Sequence, residues 1–156
     1  MKGFVLAEAG HVVQILPPQN ISGGKTGQAF SMKTYQHASI LVMIGAQAAA
    51  FTKILVNQCT DAAGSNAAAI PFALYAQETA DADVLGARQQ ITAAGKTPSG
   101  NADIFYVIEL DGSELSDGFP YVQVELTNGA NADYGTIVAV LSGARFAEAQ
   151  SPTAIA

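Results

Sequence analysis

Apolar side chains in this chain arrive in short bursts separated by Gly, Asn, Asp and Ser, and the bursts have the length and period of β-strands. Ser39–Ile44 (SILVMI) is a near-continuous apolar run closed by Gly45, the pattern of a strand buried on both faces. Phe51–Val56 is a second run, β-branched and aromatic, that stops at Asn57. Ile70–Tyr75 is a third, with Pro71 near its start, where a ladder can spare a donor. Ile104–Leu110 ends at Asp111-Gly112, a strong turn pair, and the stretch Ser113–Gly118 predicts one helical turn and a break. Tyr121–Leu126 alternates cleanly, with Val122, Val124 and Leu126 on one face and Tyr121, Gln123 and Glu125 on the other, as in a strand with one wet face. Asn128-Gly129 predicts a tight reversal before a last buried strand, Thr136–Leu141.

Helix competes for the alanine clusters at 46–50 and 62–69, because alanine is the best helix former. Neither cluster carries a sustained i, i+3, i+4 stripe of large residues, and Gly, Asn or Pro adjoins each. One short helix is expected over 78–87, with Thr79 as its cap and acids in its first turn. The count is six to eight strands without βαβ alternation. It predicts an all-β sandwich of jelly-roll or Greek-key type. Three regions are expected: residues 1–30 as an N-terminal arm or first strand, 31–147 as the sandwich, and 148–156 as a tail. Pro17-Pro18 and the glycine-rich stretch Ser22–Gly27 give the first region its arm-like character. Removing residues 1–20 should then leave the fold intact.

Composition narrows the function classes. The chain has 156 residues, one domain's worth, with 49% apolar residues but only 13% charged, against a usual share near 25%. Alanine supplies 29 of the apolar positions, so the core must be built from Val, Ile, Leu, Phe and Tyr. So few charges point to a surface covered by another protein, where charged residues are depleted. A net charge of −6 argues against nucleic acid as a partner. Cys59 stands alone, which excludes an intramolecular disulfide. The uncharged window Thr34–Thr52 contains Gln36, His37, Ser39 and Gln47 and is too polar for a membrane span, so a soluble protein is expected. Charge is uneven: residues 1–53 sum to +3 and residues 54–156 to −9. That asymmetry would let copies attract one another.

Candidate chemistry is thin. Gly23-Gly24-Lys25-Thr26 resembles the end of a phosphate loop, but the glycine required five positions earlier is replaced by Gln19. Cys59 with His11 or His37 shows no hydrolase signature, and two histidines with one cysteine fall short of a zinc ligand set. Asp81, Asp83, Asp103, Glu109, Asp111, Glu114 and Asp117 offer oxygen ligands or carboxylate pairs, yet their spacing fits no calcium loop. No catalytic, metal or cofactor residue is assigned. What remains is binding. Phe4, Val5, Val12, Val13, Ile15 and Leu16 are the candidate interface residues, expected to order on a neighbouring molecule or to form a first strand.

Four segments carry a resemblance: Gly24–His37 (GKTGQAFSMKTYQH), Asn57–Gly64 (NQCTDAAG), Val84–Arg88 (VLGAR) and Val140–Arg145 (VLSGAR). Over about residues 20–147 the chain resembles the small virion proteins encoded among the head genes of tailed bacteriophages. The resemblance implies a capsid cement or decoration protein on the outside of an HK97-type shell, made in the host cytoplasm. Its partners would be the major capsid protein and further copies of itself, as dimers or trimers, without nucleic acid, membrane or cofactor. Two alternatives are a carbohydrate-binding sandwich, with exposed aromatics drawn from Tyr75, Tyr106, Tyr121 or Tyr134, and a minor neck or tail component.

Overall fold

Period-two alternation assigns nearly every strand residue to one of two sheet faces, and two such sheets close over a single apolar layer. The computed structural model describes residues 3–47, 52–79, 81, 83–100 and 103–145. A one-turn helix, α1 (Leu6–Ala9), precedes the strands β1 (His11–Asn20), β2 (Lys25–Thr26), β3 (Phe30–Ser31), β4 (Tyr35–Ile44), β5 (Lys53–Cys59), β6 (Ala68–Ala69), β7 (Phe72–Gln77), β8 (Gln89–Ile91), β9 (Ile104–Asp111), β10 (Tyr121–Thr127) and β11 (Tyr134–Ala144). The larger sheet has the order β1-β11-β4-β9-β7-β8, the smaller the order β2-β10-β5-β6, and β3 also pairs with β10. All the pairings are antiparallel. The architecture is an all-β sandwich.

Register lines the core residues up in rows across the larger sheet. Val13, Ala139, Ile40, Ile108 and Leu74 are successive partners, as are Leu16, Ile137, Val42 and Tyr106. These rows pack with Phe30, Ile54, Val56, Val122, Val124 and Leu126 of the smaller sheet in one buried cluster. Burying each such side chain is worth about 1.5–3 kcal/mol, so the sandwich layer dominates stability. The alternation read for Tyr121–Leu126 holds, with Val122, Val124 and Leu126 inward. The expected helical turn is a short 3-10 segment, Gly112–Glu114, closed by a capping box in which Glu114 accepts from the Asp111 amide.

Several expectations change. Strand β1 belongs to the protein's own sheet, and Val13, Ile15 and Leu16 lie in its core. The first region is therefore a strand from His11 to Asn20, and these three side chains are not available to a neighbour. The run Ser39–Ile44 is buried on one face only: Ile40, Val42 and Ile44 point into the core while Leu41 and Met43 point out. Asn128-Gly129 makes no hairpin, because β10 and β11 lie in different sheets. Instead the loop docks on the turn after β1: Gly23 donates to the Gly129 carbonyl and Ile21 to that of Asp133, while the buried Asp133 carboxylate accepts from the Asn128 side chain at 2.6 Å. The helix expected over 78–87 is absent from its described residues, positions 80 and 82 lying outside them. There the chain runs beside β7, with the Gly86 amide donating to the Ala76 carbonyl. Phe51 and residues 146–156, including the predicted tail, lie outside the described residues.

Glu78, at the start of that expected helix, has another use. Its carboxylate accepts from the hydroxyls of Tyr106 and Ser99 and from the Ser99 amide at 3.1 Å, and Lys96 Nζ stands 3.3 Å away. Burial would raise the carboxyl pKa, but these hydrogen bonds and the lysine charge hold it below its ordinary value. The same connection crosses between sheets, since β8 pairs with β7 while Lys96 bridges to Ile54 of β5. Gly95 makes that crossing possible: its φ is +85°, and a Cβ there would stand 2.6 Å from the Ile54 carbonyl oxygen.

Three outcomes are expected. Deleting residues 1–9 should leave the denaturant midpoint close to that of the full chain. Deleting residues 1–20 removes three core side chains worth about 5–9 kcal/mol together and the whole β1 ladder, a loss of the order of a domain's entire stability of about 5–15 kcal/mol, and should abolish the unfolding transition. Replacing Glu78 by Gln should cost about 1.5–3 kcal/mol at neutral pH. Because the native pKa is depressed, that deficit should be complete above the ordinary carboxylate value and fade as pH falls through the native one, as urea titrations at several pH values would show.

Candidate interaction surface

The outward face of the six-stranded sheet is built by the same register that builds the core, offset by one residue. Val138, Leu41, Val107 and Tyr75 are successive partners across β11, β4, β9 and β7. One pleat along, Thr136, Met43, Phe105 and Gln77 form a second row. A third begins Val12, Val140 and passes to Ser39 and Glu109. Most of these side chains are half-buried by their own neighbours, and Met43 and Val12 are exposed. The outer face of a two-layer sandwich ordinarily alternates to polar residues. This one is apolar through its middle. Six strands of three to eleven residues, at about 3.3 Å per residue and about 4.8 Å apart, give the whole face roughly 700 Å2, close to the roughly 800 Å2 each partner contributes to a standard protein interface.

Polar groups gather where that face meets the start of β1. His37 on β4 sits between two carboxylates of β9, its Nδ1 2.8 Å from Asp111 Oδ1 and its Nε2 2.7 Å from Glu109 Oε2. Ser39 Oγ donates to the same Glu109 oxygen at 2.7 Å and lies 3.5 Å from His37 Nε2. Partial burial by itself would lower the imidazole pKa, but the hydrogen bonds and charges of Asp111 and Glu109 outweigh it and hold the value above the ordinary histidine range. Serine, histidine and aspartate in this order invite a nucleophile reading. Geometry opposes it: Glu109 occupies the imidazole nitrogen that would take the serine proton, and Ser39 is mid-ladder between Val140 and Glu109. Its flanking amides are committed to strand pairing, so no pair of donors awaits a developing oxyanion. The group acts as an ionic clamp between β4 and β9.

Other sequence candidates scatter. Phe4 is 80% exposed and Val5 and Val12 are also exposed, whereas Val13, Ile15 and Leu16 are core. His11 stacks on Tyr35 with ring centroids 5.7 Å apart. Cys59 is buried, and desolvation together with the charge of Asp61 pushes its thiol pKa up, away from a reactive thiolate. Gly23 and Gly24 make a left-handed turn that leads into β2, with no helix to complete a phosphate site. Asp81, Asp83, Asp103 and Asp117 are exposed, Glu114 caps the 3-10 turn, and no group of three such side chains among the described residues is placed to hold a metal. The four candidate tyrosines form no common platform: Tyr106 is fully buried, Tyr121 lies on the smaller sheet under Lys33, and Tyr75 and Tyr134 belong to the outward side of the larger sheet. Among the described residues no helix is long and apolar enough to cross a membrane. Compared with protein-family models, curated proteins and solved structures, the chain matches none.

The outward rows escape a reading of single strands, because Leu41 and Met43 sit within one unbroken apolar run. Phe105 and Val107 carried the usable signal, since they alternate with Ile104, Tyr106 and Ile108 and so require an apolar second face.

The clamp has a definite pH signature. A histidine pKa raised in the native state means that the clamp's contribution is complete below the ordinary value of 6.5 and is lost as pH rises through the native value. The unfolding midpoint of the parent should therefore fall toward that of His37→Gln as pH is raised above 6.5, and the two curves should diverge below it. An NMR titration of the His37 ring should give a midpoint above 6.5.

Proposed function

We propose that this chain is a virion structural protein, a cement or decoration protein that binds the outside of an assembled phage head as a homo-oligomer and stabilises it. The observation that carries the reading is the set of apolar rows on the outward face of the six-stranded sheet, a face whose whole extent is close to what one partner gives to a stable protein interface. Low surface charge and the resemblance of four segments to head-gene proteins of tailed phages support it. In this role the rows Val138–Leu41–Val107–Tyr75 and Val12–Val140 rest on the major capsid protein. A ligand that binds only the assembled shell stabilises that shell by mass action, so affinity for a surface is sufficient and no chemistry is required.

Quantitative mass spectrometry of purified particles should find hundreds of copies per head. About six to twelve copies would place the protein in the neck or tail instead, and none would overturn the structural role. The face itself is tested by Leu41→Asp and Val107→Asp. A carboxylate in a dry interface costs several kcal/mol, so each variant, folded by circular dichroism, should lose more than tenfold in shell affinity. Undiminished binding by both would remove this face from the contact.

A further inference from the structure

Asn128 stands in the loop that crosses from one sheet to the other, between the end of β10 and the start of β11, and its side-chain amide is held from two sides. Its Oδ1 accepts from the Gly129 amide at 2.9 Å, and its Nδ2 donates to Asp133 Oδ2 at 2.6 Å. The first contact sets a backbone nitrogen beside the side-chain carbonyl group of the residue before it. Gly129 lies beyond the last residue of β10 and is exposed, so its amide is bonded to that side chain rather than to a ladder, and water reaches it.

That arrangement is the starting geometry of an intramolecular acyl transfer. When base takes the Gly129 N–H proton, the nitrogen attacks Asn128 Cγ. The N–Cγ bond forms, the Cγ–Nδ2 bond breaks, and ammonia leaves with a proton drawn from solvent. The product is a succinimide ring, which one water then opens at either carbonyl to give aspartate or isoaspartate at position 128. No other reactant is consumed. Glycine is what the ring closure needs at 129, because a backbone without a Cβ folds onto the preceding side chain at little cost. The other described asparagines precede larger residues: Ile21 follows Asn20, Gln58 follows Asn57, and alanine follows Asn66 and Asn131. Two of these are held further, since the Ile21 amide donates to the Asp133 carbonyl and Asn57 lies within β5.

The fold gives this conversion a consequence. Asp133 is 1% exposed, its Oδ1 has no hydrogen-bond partner, and among the described residues Asn128 Nδ2 is the donor that its Oδ2 receives. A carboxylate at position 128 removes that donor and sets a like charge against a buried one. The same loop holds the turn after β1: Gly23 donates to the Gly129 carbonyl, Ser22 Oγ to that of Ala130 and Ile21 to that of Asp133. Isoaspartate also adds a methylene to the main chain just before the Gly129 carbonyl. We propose that Asn128 is a self-modifying site: ring closure onto Gly129 converts it to aspartate and isoaspartate, and the conversion releases the β10–β11 loop from the turn after β1. The step runs one way and needs no partner, so purified protein shows it whatever the chain binds.

Protein aged in mildly alkaline buffer and then digested should show a mass gain of about 1 Da at Asn128, shared between two chromatographically distinct peptides, well ahead of any gain at Asn66 or Asn131. Gly129→Ala should slow that gain by about tenfold or more. The variant folds like the parent, because a Cβ at 129 meets nothing within 4 Å and the backbone there is not left-handed. In denaturant titrations the aged protein and Asn128→Asp should both unfold at a lower midpoint than the fresh parent. Amide exchange at Ile21 and Gly23, which the loop holds, should quicken in both. An Asn128 that stays intact, converts no faster than Asn66 and Asn131, or converts as fast in Gly129→Ala overturns the site. Conversion that leaves the midpoint and the Ile21 and Gly23 exchange unchanged overturns the release.

Discussion

The register of β4 is the constraint on which the rest depends. This strand is paired on both sides from His37 to Ile44, with β11 and β9, and a slip of one residue would exchange its two faces. In the observed register Ala38, Ile40, Val42 and Ile44 enter the core, and Ser39, Leu41 and Met43 leave it. Both faces of the strand carry apolar residues, so hydrophobicity alone distinguishes them weakly. The polar end decides. His37 must meet Asp111 and Glu109 outside the sandwich, and the alternative register would drive the imidazole into the apolar layer and strip both carboxylates of it.

That choice explains why the outer face is what it is. Neighbouring strands copy the pleat of β4, so Val138, Val107 and Tyr75 are carried outward with Leu41, and Thr136 and Phe105 with Met43. A sandwich with a single closed core needs no apolar residues there. Their presence in register across four strands marks a face suited to a protein partner, and the charged clamp bounds it on one side. The connection from β7 to β9 adds a second device: Glu78, Lys96, Tyr106 and Ser99 knit a long excursion to the sheet and to β5 of the facing sheet.

Legibility in the sequence followed the range of the forces involved. Tyr121–Leu126 and Ile104–Leu110 could be read directly, because alternation within a strand is a local property and tertiary packing obeyed it. The helical turn expected after Asp111 was local too, and it is the 3-10 turn that Glu114 caps. His11–Asn20 read equally well as an arm or a strand, since its prolines weaken one reading and its apolar residues weaken the other; only pairing with β11 decides between them. The helix expected near Thr79 failed because Glu78 is bound by a tyrosine 28 residues away, a partner no local pattern announces. Asn128-Gly129 carried hairpin chemistry yet joins strands of different sheets, because its loop is held by Ile21 and Gly23.

By itself, the sequence determined the fold class, the positions of the principal strands, the poverty of surface charge and the scarcity of catalytic side chains. All of these follow from composition and from spacings of a few residues. Tertiary structure alone decided which face of β4 became the core and that His37 lies between two carboxylates more than 70 residues distant. Each of those depends on strand order and register across the sheet. They are properties of pairing between distant segments, and a one-dimensional pattern carries the period of a strand without naming its neighbour.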